Sequence, residues 1–233
     1  MKISCVWEHN GQDTLLYAVD FPGAYSRGEN LSAALDKMPQ EIVSYFRWLG
    51  MELPETVELE VLQDQPCDLQ VRDADSDVLF DSEKNPLCME EYQRLKALAL
   101  KFATDFQKLY ESIPDPDAQL AFPRRTFYGN IPSTAREMYL HTKNVNAYYF
   151  GEIDVEADNE DSILECRCRG FEQLEKMAVF LSNPVIEGSY GELWTLRKVF
   201  RRFIWHDRIH ARAMYRRASA YFGENKIENP FFF

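Results

Sequence analysis

"ELWTLRKVFRRFIWHDRIHARAMYRRASAYFG", residues 192–223, decides how the second half of this chain is read. Leu196, Val199, Phe203, His206, His210 and Ala213 recur at steps of three and four, which places them on one face of a helix. That face is apolar up to the histidines, so it points inward and carries His206 and His210 one turn apart on the same side. Arg197, Lys198, Arg201, Arg202, Arg208 and Arg212 mostly occupy the other sides. The chain has only four histidines, His9, His141, His206 and His210, so a pair at this spacing calls for a reason.

Working outward, three more helical segments precede this one. Residues 86–113 form a long amphipathic stretch, followed by a Pro-rich connection over 114–130. Residues 131–153 predict a second helix, with Thr134 and Glu137 in capping-box spacing. Its inward stripe is Thr134, Met138, His141, Val145 and Tyr148. Residues 161–183 predict a third helix, and "PVIEGSYG" (184–191) leads into the fourth. Four helices of about 20–30 residues with moderate connections predict an all-α bundle.

The first 80 residues read differently. "KISCVWEHN" and "DTLLYAVDF" are strand-like and flank a turn signal. "FPGAYSRGEN" continues as a bend and a short extended piece. Residues 30–51 have helical spacing, with Asn30 as N-cap, Gly50 as stop and Pro39 as a kink or restart. Residues 56–63 alternate like a half-buried strand. The order is β-β-β-α-β. An acidic loop over 64–87, with a short strand at "DVLF" (77–80), follows. The fold class is therefore α+β, with an N-terminal domain over 1–80 and a helical domain over 81–233.

Charge supports that division. The net charge is −12, and residues 1–80 hold 15 acidic against 5 basic side chains. Such a balance disfavours nonspecific nucleic-acid binding and anionic membranes. No apolar run reaches the roughly 20 residues that span a bilayer. "MKISCVWEHNGQ" has no apolar segment of a secretory signal. The five cysteines (Cys5, Cys67, Cys88, Cys166, Cys168) lack zinc-ribbon spacing and suit a reducing, cytoplasmic setting. Cys166 and Cys168 point to different helix faces.

Three inward histidines on two helices can meet. Neutral imidazoles bind zinc, nickel, iron or manganese, and bundle cores are where such sites are built. The competing reading makes His141, His206 and His210 hydrogen-bonded core residues. Around them, Thr142, Tyr148, Tyr149, Glu152, Asp207 and Arg208 are near in sequence. Tyr148 reads as a pocket or packing residue, and Asp207 as a carboxylate behind the ligands or at the surface. Arg216 and Arg217 read as an anion-binding pair or as a solvated helix end. No residue receives a catalytic role.

The helical region, about residues 84–223, resembles the DinB-like superfamily. The matching pieces are "TAREMYLHTKNVNAYYFGEI" around His141 and "WHDRIHARAM" around His206 and His210. The resemblance implies a four-helix bundle holding a divalent metal on those three histidines. It also implies a metal-dependent transferase or hydrolase acting on a small molecule, linked to a low-molecular-weight thiol, and a homodimer. Residues 1–63 resemble the HicB-like domain through Asp20–Gly23 ("DFPG"), Gly28–Asn30 ("GEN") and Ser32–Leu35 ("SAAL"). Proteins of that family are partners of small toxin RNases, which implies an interaction module. The alternative to an enzyme is thus a non-catalytic protein-interaction protein with structural core histidines. Trp7, His9 and Tyr25 read as structural.

Overall fold

Asn10 starts the fold by closing the first turn, its Oδ1 accepting from the backbone N–H groups of Gln12 and Asp13 at 3.0 and 2.9 Å. The turn joins β1 (Lys2–His9) to β2 (Thr14–Ala18), and β3 (Tyr25–Gly28) completes an antiparallel meander. The computed structural model describes residues 1–122, 124–126 and 129–233. Of the connection over 114–130, Pro123, Phe127 and Tyr128 lie outside the described residues.

Helix α1 (Leu31–Leu49) starts at Asn30, whose side chain accepts from Ala33 N, and stops at Gly50 in the left-handed region (φ 65°). It runs through Pro39 without a break, so the expected restart is absent. The chain then returns as β4 (Glu58–Pro66), parallel to β1, giving the sheet order β3-β2-β1-β4. The N-terminal β-β-β-α-β order is as expected.

The remainder is helical: α2 (Met89–Glu111), α3 (Ala135–Gly151), α4 (Ile163–Leu174) and α5 (Leu196–Phe222). These four pack on one another, α5 against α2 and α3, and α4 against α2 and α3. The whole is α+β, and no helix among the described residues is long and apolar enough to cross a membrane. All five cysteines are free.

Three boundaries differ from expectation. Helix α4 ends well short of residue 183, at Leu174, where the backbone bonds tighten to three-residue turns, Lys176 N donating to Gln173 O and Met177 N to Leu174 O. Asn183 then bonds the carbonyls of Glu83 and Asn85, pulling the chain away from the helix axis. Helix α5 starts at Leu196, because Thr195 caps it and Leu193–Trp194 pair instead with Ile186–Glu187. Residues 77–80 form no strand. The N–H groups of Asp77 and Val78 donate to Glu8 Oε1, and their carbonyls accept from Lys198 and Arg201. Side chains of β1 and α5 thus satisfy this backbone, and no ladder partner is needed.

This arrangement makes α5 the central element. One side faces α2 and α3; the other, basic side is covered by the N-terminal unit. Trp205 packs on Tyr17 and Tyr25, with ring centroids 5.7 and 6.3 Å apart. Lys198, Arg201, Arg202 and Arg208 are all buried. Arg208 reaches Glu41 at 2.5 Å, and Arg212 shares the same carboxylate. Gly23, at φ +90°, lets the β2–β3 turn touch α5: a Cβ there would lie 2.4 Å from Ile204 Cγ2. One apolar cluster runs from Ile3 and Met38 through Phe102 and Phe203 to Phe231. The "NPFFF" tail docks on this chain's own fold, Phe231 lying buried against Trp48 and Phe102.

Candidate metal centre

Two capped helices bring the histidines together. Thr134 Oγ1 accepts from Glu137 N, and the Glu137 carboxylate accepts from Thr134 N, which fixes the start of α3 and places His141 two turns inside it. Thr195 fixes the start of α5, and His206 and His210 follow on the side facing α3. The ring centroids of His141 lie 5.2 Å from His206 and 4.6 Å from His210, and the α5 pair is 4.4 Å apart. One ring nitrogen from each lies within 4.8 Å of the others. All three expected ligands therefore meet.

The cluster opens to water. His141 is exposed, while His206 and His210 are half-buried. No imidazole of the three has a hydrogen-bond partner among the described residues. Desolvation lowers the pKa of His141. Desolvation lowers His206 far below its ordinary value of 6.5, helped by His141, Arg202 and Arg167. His210 is lowered likewise, by burial and then by His206, His141 and Arg217. Neutral rings with free nitrogens are competent ligands.

Behind His206 lies a buried ion pair. Asp207 is fully buried and accepts from Arg167 Nη1 at 2.5 Å, with neither side chain exposed. Its other oxygen, Oδ1, lies 3.9 Å from His206 Nδ1, and both atoms are buried without a partner. One bridging water or a small side-chain rotation would close the gap. Burial pushes the Asp207 carboxyl up to about 6 against the pull of Arg167. Asp207 is thus an interior carboxylate, not a surface one. Arg167 is a site neighbour absent from the sequence expectations, and its one signal is the stripe of Ile163, Arg167, Gly170 and Leu174, on which a lone arginine stands out.

The other neighbours sort by contact. Tyr149 is buried and meets His206 edge-on at 6.0 Å. Tyr148 is 39% exposed and packs on Trp194 and on Tyr149. Thr142 bonds back to Met138 O, and Glu152 accepts from Ser189 N; neither belongs to the cluster. Arg208 points to Glu41 on the far side of α5. Arg216 is exposed, whereas Arg217 is half-buried and donates to Pro132 O at 3.1 Å. Cys166 is buried and Cys168 half-exposed, as their different faces require. His9 stacks on Trp7 and meets Asp64 at 2.9 Å, and Tyr25 packs on Trp205; none of these joins the cluster. No protein-family model matches the chain, and comparison with curated proteins and with solved structures finds no match either.

Proposed function

We propose that His141, His206 and His210 hold a divalent metal ion, and that the protein is a metal-dependent transferase or hydrolase acting on a small molecule. One observation carries this reading: three neutral imidazoles from two helices converge at a solvent-open position, and none is hydrogen-bonded among the described residues. A structural core histidine would use its ring nitrogens on protein partners. The donor set fits a metal. An ion about 2.0–2.1 Å from three nitrogens needs them roughly 3.3 Å apart, so a spacing of up to 4.8 Å closes with ring shifts on the order of 1 Å. Three nitrogen donors and no carboxylate favour zinc or nickel, then iron, over manganese. The helical half is read as a DinB-like bundle and the N-terminal unit as a HicB-like domain that backs α5.

When bound, such a metal lowers the pKa of a coordinated water or thiol and so supplies a nucleophile near neutral pH. The chain's own residues do the rest. His141 lies on the exposed side of the cluster, where a small molecule or thiol can approach. Asp207, held by Arg167, is placed to keep a proton on His206 Nδ1 and so direct Nε2 outward. Tyr148 and Tyr149 supply an aromatic wall on one flank.

Elemental analysis of untagged protein tests the reading, with wild type beside His206→Ala and His210→Ala. About one zinc, nickel, iron or manganese per chain, lost in both variants, supports it. A metal-free wild type that stays metal-free after incubation with zinc and nickel overturns it.

A further inference from the structure

We propose that Arg217 is an anion subsite of the three-histidine centre, so that the substrate carries a carboxylate-type oxyanion a few bonds from its reacting atom. The inference rests on the metal reading and names its substrate class.

The buried and half-buried cations of α5 are otherwise neutralised, and Arg216, which also lacks a carboxylate among the described residues, is exposed to water. Arg197 meets Glu91 at 2.9 Å, Lys198 meets Glu192 at 2.8 Å, and Arg201 meets Glu83 at 2.5 Å. Arg202 lies 3.8 Å from Glu192, and Arg208 and Arg212 share Glu41. Arg217 has no carboxylate among the described residues, only the carbonyl of Pro132. The acids at the start of α3 are engaged elsewhere: Glu137 closes the capping box, and Asp117 binds Arg136 at 2.6 Å. Among the buried and half-buried cations of α5, Arg217 alone lacks a carboxylate among the described residues.

Its position ties it to the histidines. Arg217 follows His210 by seven residues, which returns it to the same face about 10 Å further along the axis. Helical side chains lean toward the N-terminus, so the guanidinium leans back toward His210. Pro132 lies just ahead of α3, so Arg217 spans the rim between the two helices that carry the ligands. Planar guanidinium recognises a carboxylate through two parallel hydrogen bonds, and one pairing with Pro132 leaves donors free for that.

A matched pair of thiols tests this on cobalt-loaded protein: 3-mercaptopropionate, which carries a carboxylate, and 2-mercaptoethanol, which does not. Binding is read from the thiolate-to-cobalt charge-transfer absorption. Wild type is expected to favour 3-mercaptopropionate by about tenfold, the worth of one charge-assisted hydrogen bond. Arg217→Gln is expected to lose the preference and Arg217→Lys to keep part of it, with unchanged cobalt affinity. A preference that persists in Arg217→Gln, as chelation by the probe itself would give, overturns the inference. So does wild type with no preference. A wild type that binds no cobalt at all overturns the metal reading on which the inference rests.

Discussion

Replacing Asp207 with Asn tests how much the fold depends on the ion pair behind His206. Arg167 and Asp207 are both fully buried, and the surviving Arg167 contacts would be poor substitutes. Its guanidinium lies 4.0 Å from the Phe203 ring centre, and Nε and Nη2 have no partners. Removing one member of a buried pair costs about 3–5 kcal/mol, because the other charge is left uncompensated. For a protein of this size, that lowers the melting temperature by roughly 6–20 °C. Urea unfolding of metal-free protein at pH 7 measures the loss. The double variant Arg167→Met/Asp207→Leu removes both charges and is expected to recover most of it. A single variant within about 1 kcal/mol of wild type, or a double variant no better than the single, refutes the reasoning. In variants that stay folded, metal affinity is expected to fall by roughly 10–100-fold, since a neutral amide replaces the carboxylate behind His206 Nδ1.

Metal-free protein is expected to lose stability on acidification. His141, His206 and His210 all have folded pKa values below 6.5, so below that pH the unfolded chain binds more protons. Stability is therefore full above about pH 6.5 and falls by up to ~1.4 kcal/mol per pH unit per histidine, a slope that denaturant midpoints at pH 5.5 and 7.5 will show and His210→Gln will reduce. Gly23→Ala drives a methyl into Ile204 in a left-handed backbone position and is expected to cost about 1–3 kcal/mol, partly restored by Ile204→Ala. Phe231→Ala removes a ring stacked 4.8 Å from Phe102 and is expected to cost about 3–5 kcal/mol in the same assay.

Local signals were the legible part of the sequence. The β-β-β-α-β order, the Asn30 and Thr134 caps and the Gly50 stop all depend on residues within one turn of each other. Helical spacing placed His141, His206 and His210 on inward faces, since each stripe was fixed by its own apolar residues, but left open whether the three meet. The burial of the basic side of α5 was not legible. Amphipathic periodicity reports only which residues of a segment are apolar, and Arg208 finds its carboxylate 167 residues away on α1. The same limit hid the 77–80 segment, whose backbone partners sit on β1 and α5. Arg167 was not legible for the same reason, since its carboxylate partner Asp207 lies 40 residues away on α5.

X-ray absorption at the zinc edge of zinc-loaded protein tests the central claim most directly. Three imidazole nitrogens near 2.0–2.1 Å with one or two further light scatterers are predicted, falling to two imidazoles in His141→Ala. A sulfur shell near 2.3 Å, or a shell of oxygens without imidazole scattering, would contradict it.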